Sequence, residues 1–406
     1  MISRWLMLLV FSLAACSQEL SLRQAVHRAL ESHPELVTAS AAVESRQGLR
    51  AQAGKTFNPS INLQVENLRA WQDPGYRTFN DGDYFAYLQQ QWELFGKRAR
   101  RVDIAEIQTQ IAEMERELTR RQVSLRVKSA YWMALGAQRR VALLQENLRT
   151  FGRILEYHEA RVREGAMAEA DLLRIRLENE RLKLDFSQAL LNAERARIAL
   201  QLAMGVDRYE SLVLTEKLEE TVPEPTFPVE SALALSQRVE LGIRRLHVES
   251  ASATIRLQQA NARPDLTWQA GYKRAGPFDA LYLGAQWDLV VRNRNEGNIA
   301  SAIADEKQTS SMLRTTEQII RAEAEAAVLN YRIRRQQLAT TLPQLRTQAV
   351  ETAEIAEAAY REGGTDLLRL LDAQRIRIEA RLIYMEALVN YQIGLVELEA
   401  ALGVPQ

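Results

Sequence analysis

The sequence contains the same succession of elements twice, and this duplication constrains the fold more than any other feature. The segment REGAMAEADLLRIR begins at Arg163, and its counterpart REGGTDLLRLLDAQ begins at Arg361. Their glycines Gly165 and Gly363 are 198 residues apart, and each precedes a further glycine by 40 residues. Such regular spacing predicts two halves with one plan.

The halves are residues 16–206 and 230–406, and a linker over 207–229 joins them. The linker carries three prolines, which interrupt regular structure. Each half opens with a short helical segment and a longer helix. A proline, Pro59 or Pro264, then precedes a change of hydrophobic period. The domain organisation is therefore a tandem repeat of one structural unit.

The period after each proline is that of a β-strand. Alternating apolar and polar residues predict two β-hairpins, at about 58–95 and about 264–290. The first has a long polar loop and the second a tight turn at Gly276. Strands of about ten residues with one apolar face fit an outer-membrane barrel. The same alternation also fits hairpins packed on a soluble core, so at this point both alternatives stay open.

Closure of the sheet places a strict requirement on the membrane alternative. An open sheet edge in lipid leaves backbone groups unpaired, each at a cost of several kcal/mol, and bacterial barrels begin at about eight strands. Four strands are too few to close. If the hairpins cross a membrane, several copies of the chain must share one barrel.

The rest of the chain is predicted to form unusually long helices. Gly and Pro together number only 28 residues, and the last helix has apolar residues at heptad spacing. Gly165 and Gly363 lie where one long helix turns back into the next, and glycine readily takes the left-handed conformation that ends a helix. Pro343 is expected to kink the third helix. The predicted helices run over 97 to about 150, 171–204, 298–360 and 366–402.

The first residues have the outline of a secretory signal. A basic start, an apolar run and the sequence LAAC lead to Cys16, which is the single cysteine of the chain. LAAC resembles the lipobox of bacterial lipoproteins, which predicts a signal peptide over 1–15 and lipidation of Cys16. Ser17 after the cysteine resembles the outer-membrane sorting pattern. An ordinary signal peptide that happens to contain a cysteine is the alternative.

The sequence offers little for catalysis. Lys plus Arg and Asp plus Glu balance at 52 each, so no nucleic-acid partner is expected. No phosphate-binding loop follows a strand, and we predict neither catalytic residues nor a metal site. The basic run 97–101 is expected at the junction between barrel and helix. Four histidines are scattered without metal-ligand spacing: His27, His33, His158 and His247.

The order of these segments resembles the TolC-like outer-membrane efflux channel family. The resemblance is carried by WELFGKRAR from Trp92, WDLVVRNRNEGNIASA from Trp287, the two REG segments and the final LLDAQRIRIEARLIYMEALVNYQIGLVELEAALG. It covers essentially all of 20–404. The chain is most similar to the channel components of heavy-metal efflux systems of the cobalt–zinc–cadmium type.

The resemblance implies an α+β membrane protein that works as a homotrimer. Each protomer would give two β-hairpins to a shared twelve-stranded barrel in outer-membrane lipid, and long antiparallel helical hairpins to a periplasmic α-barrel. The linker would lie in an equatorial belt. The implied partners are a periplasmic adaptor protein and an inner-membrane pump of the RND type. No cofactor is implied apart from the covalent lipid on Cys16.

The resemblance also implies functional positions at the periplasmic end. Gly165, Gly363 and Gly364 match turn residues that contact the adaptor. Asp171 and Asp372 match acidic residues that narrow the aperture, whereas Arg369 stands where an acidic residue is often found. Each aspartate has a second interpretation, as a charge favoured at the start of its helix.

Two other classes stay open beside the passive channel. A periplasmic adaptor lipoprotein also has long helical hairpins, but it would carry a lipoyl-like β-domain, which this sequence lacks. A structural rod would not need two amphipathic hairpins. For the substrate, heavy-metal cations follow from the resemblance alone, and drugs or other organic solutes are the alternative.

Overall fold

The computed structural model describes residues 18–165, 167–206, 209–218 and 224–404. The chain forms two compact units, and each unit draws on both repeats. The sheet unit consists of Thr38–Glu117 and Val239–Gln318. The helical unit consists of the described residues within Met1–Val37, Leu118–Arg238 and Ile319–Gln406.

Within the described residues there are six strands and ten α-helices. The strands are β1 Gln18–Leu20, β2 Ser60–Glu66, β3 Asp83–Trp92, β4 Leu212–Leu214, β5 Leu266–Ala275 and β6 Phe278–Trp287. The helices are α1 Leu22–Ser32, α2 Pro34–Ala53, α3 Thr78–Asp81, α4 Lys97–Arg163, α5 Glu169–Ala203, α6 Ala234–Gln237, α7 Val239–Asn261, α8 Glu296–Gln336, α9 Leu342–Arg361 and α10 Leu367–Leu402.

The sheet unit is built around one antiparallel sheet with strand order β2-β3-β5-β6. The two predicted hairpins are therefore present, and β3 and β5 join them into four strands. Each hairpin leads into a long helix through a left-handed residue: Phe95 and Gly96 precede α4, and Asn295 precedes α8. These left-handed conformations interrupt the extended backbone before each helix begins.

The helical unit has its core between helices from both ends of the chain. Tyr131 of α4 is fully buried, and its hydroxyl donates a hydrogen bond to the carbonyl of Leu20 at 2.9 Å. Val389, Ile393 and Val396 of α10 pack in the same apolar cluster. The sequence analysis did not predict the short parallel pairing of β1 with β4, which brings the start of the described chain onto the linker region.

One helix prediction needs correction. We expected the helix from Lys97 to end at about Thr150, but α4 continues to Arg163. Phe151 is buried against Leu182 and Ile378, and this packing outweighs the low helix propensity of the next residue, a glycine.

The third long helix is interrupted as predicted, although the interruption precedes the proline. A π-helical segment, Gln337–Thr341, separates α8 from α9, and Pro343 is the second residue of α9. Proline has no N–H to donate and its ring collides with the preceding turn, so a locally widened turn accommodates it.

Candidate channel site

The register of the sheet unit places apolar side chains on one face. Leu63 lies opposite Ala86, Ala86 opposite Tyr272, and Tyr272 opposite Leu281, so one row crosses all four strands. These side chains are not covered by protein, since Leu63 is 79% exposed and Leu281 87% exposed. A face this apolar and this open requires an apolar neighbour outside the chain.

The opposite face is polar and internally hydrogen-bonded. Asn62 Nδ2 donates to Gln89 Oε1 at 3.3 Å, and Gln269 Nε2 donates to the same oxygen at 3.4 Å. The Tyr282 hydroxyl then donates to Gln269 Oε1 at 2.7 Å. This face therefore carries one row of hydrogen-bonded polar side chains that links all four strands.

Aromatic residues mark both ends of the strands. Trp92 and Trp287 share one end and are 56% and 59% exposed. At the other end, Phe79 is 79% exposed and stacks on Tyr84 with ring centroids 6.3 Å apart. Two aromatic belts around a central apolar band are typical of strands that cross an outer membrane.

Both outer strands of the sheet have an unpaired edge in the described part of the chain. β2 pairs only with β3, and β6 pairs only with β5. Because the strands alternate in direction, β6 of one copy could continue the antiparallel pattern with β2 of another. Three strands, β3, β5 and β6, have 10 residues each, which matches the span of a tilted transmembrane strand.

The predicted basic run lies where strands meet helices. Lys97 Nζ contacts Asp265 Oδ1 at 2.8 Å and also donates to the carbonyl of Arg263 at 2.7 Å. Burial raises the pKa of the Asp265 carboxyl, but hydrogen bonds from Lys97 and from the Leu94 amide outweigh it, and the net pKa is lowered. Arg101 pairs with Glu93. The paired basic residues therefore join elements of the sheet unit, which argues against nucleic-acid binding.

The two glycine turns lie side by side in the helical unit. Gly165 has φ +71° and Gly363 has φ +75°, so both take the predicted left-handed conformation. Ile175 and Leu367, one after each turn, pack in a common apolar cluster. A side chain at Gly165 or Gly363 would enter open space, whereas one at Gly364 would contact only the Ala359 carbonyl.

The acidic positions beyond the turns differ from each other. Asp171 lies in the first turn of α5, as the helix-start interpretation expects, and its Oδ1 is 3.9 Å from Arg174. Asp372 is not in the first turn of α10, so for this residue the helix-start interpretation is wrong. Its Oδ1 lies 3.6 Å from Arg375. Arg369 is exposed.

The actual helix-start carboxylate of α10 is Asp366, which the sequence analysis missed. Asp366 is the N-cap, and its Oδ1 accepts a hydrogen bond from the Arg369 amide at 3.0 Å. The signal was present in the sequence, because an aspartate directly before a run of leucines is a common N-cap pattern.

His158, one of the four histidines scattered along the sequence, forms a buried contact between helices. His158 is 3% exposed, its Nδ1 lies 2.9 Å from the Ile154 carbonyl, and its Nε2 lies 3.0 Å from the Tyr360 hydroxyl. A carbonyl only accepts, so in the neutral ring Nδ1 donates to it and Nε2 accepts from Tyr360. Burial and the nearby charge of Arg161 lower the pKa of His158, against an opposing effect of Asp171 and the backbone hydrogen bond.

Some predictions fall outside what the structure describes. Cys16 and the signal peptide precede residue 18, and the linker 207–229 is described only in part. Within the described residues, no helix has the length and hydropathy needed to cross a membrane. The same residues contain no group of three or more His, Cys, Asp or Glu side chains placed to hold a metal ion.

An exposed apolar sheet with unpaired edges, together with long helical hairpins, defines the class of outer-membrane channels. The chain belongs to the outer membrane efflux protein family, whose sequence profile matches residues 25–206 and 231–404. It is therefore a channel subunit for efflux rather than an enzyme. Channels of this family form trimers and work with an adaptor and an RND pump.

Individual relatives agree with this assignment. The cobalt-zinc-cadmium resistance protein CzcC of Cupriavidus metallidurans is 25% identical over 376 residues, which cover 91% of this chain and 86% of CzcC. The channel CusC superposes with a TM-score of 0.80 at 17% identity, covering 94% of this chain and 92% of CusC. The CmeC outer membrane channel of Campylobacter jejuni gives 0.79 at 18% identity, covering 94% and 85%. The expected TolC-like α+β fold is thus confirmed.

Proposed function

We propose that three copies of this chain form one channel that carries heavy-metal cations out of the cell as part of a pump complex. The apolar sheet face with its two unpaired edges is the observation that supports it most strongly. If three copies each contributed four strands, the result would be a closed barrel of twelve strands in which the backbone groups of every edge strand are hydrogen-bonded. The polar face would then line a water-filled lumen.

Cations are the substrate class we favour because the chain is similar to a cobalt-zinc-cadmium resistance protein along nearly its whole length. A passive conduit needs no metal-binding cluster in its wall. Organic solutes are the second candidate, since a passive conduit of this architecture needs no contacts specific for cations.

The turns at Gly165, Gly363 and Gly364 are proposed as the docking end for a periplasmic adaptor. Their exposed, side-chain-free surface supports this assignment. Asp171, Asp372 and Arg369 would then line the nearby aperture. Arg174 lies beside Asp171 and Arg375 lies beside Asp372, so these arginines would reduce the negative charge of the aperture.

A deletion strain tests the substrate. We expect sensitivity to zinc, cobalt, cadmium, copper or silver, with accumulation of the metal, and unchanged tolerance to a panel of dyes and antibiotics. Sensitivity confined to the organic compounds would keep the channel and exclude cations as its substrate.

Lipidation of Cys16 is tested by labelling cells with radioactive palmitate. Label is expected on the wild-type protein and absent from Cys16→Ser, while the variant still assembles. Label retained by Cys16→Ser would exclude the lipoprotein signal.

A further inference from the structure

A cavity of about 690 Å³ lies between α4, α9 and α10 of the helical unit, close to the two glycine turns. Its wall includes Tyr360 of α9, three residues before Gly363, and His158 of α4, which contacts Tyr360. None of the residues assigned above to the aperture lines this cavity. We therefore infer its function from the side chains that line it.

The lining is strongly cationic. Four arginines contribute to it, against a single carboxylate, Glu357. That carboxylate is already paired with one of them, Arg361. The remaining three arginines of the wall are Arg153, Arg161 and Arg377. An excess of guanidinium groups around a partly enclosed space favours a carboxylate or another anion inside it.

Two residues of this wall each carry a buried polar atom that has no hydrogen-bond partner among the described residues. Gln374 is 2% exposed, and its Oε1 accepts no hydrogen bond. The Nε of Arg377, one turn further along α10, is buried and donates none. Leaving such groups unsatisfied is costly, so natural proteins keep them mainly where something else completes the bonding.

We propose that this cavity binds an acidic peptide segment of the partner protein that docks at the glycine turns. A peptide offers both missing groups at once, since a backbone N–H can donate to Gln374 Oε1 and an Asp or Glu carboxylate can accept from Arg377. The exposed ring of Tyr157 and the half-buried ring of Tyr360 provide apolar contact beside the charges. This assignment rests on the proposed function and adds the chemistry of the partner to it.

Calorimetric titration of the purified full-length protein with a synthetic alanine–glutamate helical peptide tests the proposal. A peptide with glutamine at each glutamate position is the matched control ligand. We expect saturable binding of the glutamate peptide and no measurable binding of the glutamine peptide. Citrate, titrated in parallel, separates a free carboxylate from a peptide. If citrate binds as tightly as the peptide, the partner assignment is overturned.

Variants on α10 decide whether this cavity is the site. Arg377→Met and Arg377→Lys should each weaken peptide binding at least tenfold, because lysine keeps the charge but lacks the Nε donor. Arg375→Met is the matched control. It removes the same charge from the same helix, but Arg375 is 55% exposed, contacts Asp372 and is not part of the cavity wall. Equal losses in Arg375→Met and Arg377→Met would show non-specific charge attraction and overturn the proposal.

Gln374→Leu separates binding from folding. Replacing a buried, unsatisfied amide by an apolar side chain of similar size should raise the Tm by about 2 °C, while peptide binding falls at least tenfold. A variant with unchanged binding would exclude Gln374 from the site. Single-channel conductance should stay at the wild-type value in the Arg377 and Gln374 variants, so failure here leaves the channel function standing, whereas absence of conductance in the wild type would refute the channel itself.

Discussion

The β2–β6 sheet and the glycine turns both expose surface that has to be covered, but the two surfaces differ in chemistry. The sheet presents large apolar side chains, such as Leu281 and Leu283, with exposures of 87% and 79%. The turns present glycines with open space around them, and the cavity near them is lined by arginines. The sheet is therefore suited to lipid, while the turn region is suited to a protein with carboxylates. The role of each region can be tested by introducing a side chain whose chemistry does not fit that region.

The largest effect is expected from placing a charge on the apolar sheet face. Leu283→Arg should reduce the protein recovered in the outer-membrane fraction at least tenfold, since an arginine facing the bilayer centre costs about 2–4 kcal/mol. Gln286→Arg, on the polar face of the same strand, is the matched control and should insert normally. Equal recovery of both variants would mean that the apolar face does not contact lipid.

A smaller effect is expected inside the sheet at Gly271. A Cβ there would lie 2.2 Å from the Ala86 carbonyl oxygen, whereas a Cβ at Gly284 would meet only side-chain ends at 3.2 Å. Gly271→Ala should therefore destabilise the sheet by about 1–3 kcal/mol, and Gly284→Ala should cost little. Thermal unfolding of the detergent-solubilised protein measures both. If Gly284→Ala lowers the melting temperature more than Gly271→Ala does, β3 and β5 do not approach each other closely at Gly271.

The turns should tolerate substitution better than the sheet. Gly363→Ala is expected to cost about 1 kcal/mol, because the left-handed conformation disfavours a Cβ although the space is open. Gly364→Ala is the control, since its side chain makes an ordinary contact at 3.5 Å. Circular dichroism melting should separate the two. Gly363→Glu should additionally impair efflux while trimers still form, and normal efflux would remove the docking assignment.

The smallest effect concerns the acid response of the helical unit. Because the pKa of His158 is lowered in the folded protein, the unfolded chain binds a proton first as the pH falls below about 6.5. Stability contributed by neutral His158 is thus present above that pH and is lost between it and the folded pKa. Arg161 and Asp171 are the charged neighbours that affect the pKa of His158. The titratable hydroxyl of Tyr360 forms a hydrogen bond with the ring.

The control for this response is the exposed His27. Melting temperatures at pH 7.5 and 5.5 should differ less in His158→Gln than in the wild type, whereas His27→Gln should keep the wild-type difference. An unchanged difference in His158→Gln would mean that another group carries the acid response.

Features with a strong local signal could be predicted from the sequence. The strands follow from a two-residue alternation that the register preserves across the sheet, as in the row from Leu63 to Leu281. Left-handed Gly165 and Gly363 follow from their position between two long helices. In each case the residues that determine the structure are close together in the chain.

Features that depend on distant packing could not be predicted. α4 continues past residue 150 because Phe151 is buried against two other helices, and β1 pairs with a strand almost two hundred residues away. The cavity combines His158, Tyr360 and Gln374, whose relationship appears only once three helices are assembled. The role of Asp372 was also ambiguous, because the exact helix start was needed to exclude an N-terminal charge.

The central claim is that copies of this chain close the sheet into a pore, and planar bilayer recording tests it most directly. Purified protein added to a lipid bilayer under voltage should produce discrete current steps of one size, and the same preparation should have the native mass of three copies. Leu283→Arg should produce no steps. Wild-type protein that stays monomeric in detergent and gives no current would contradict the account.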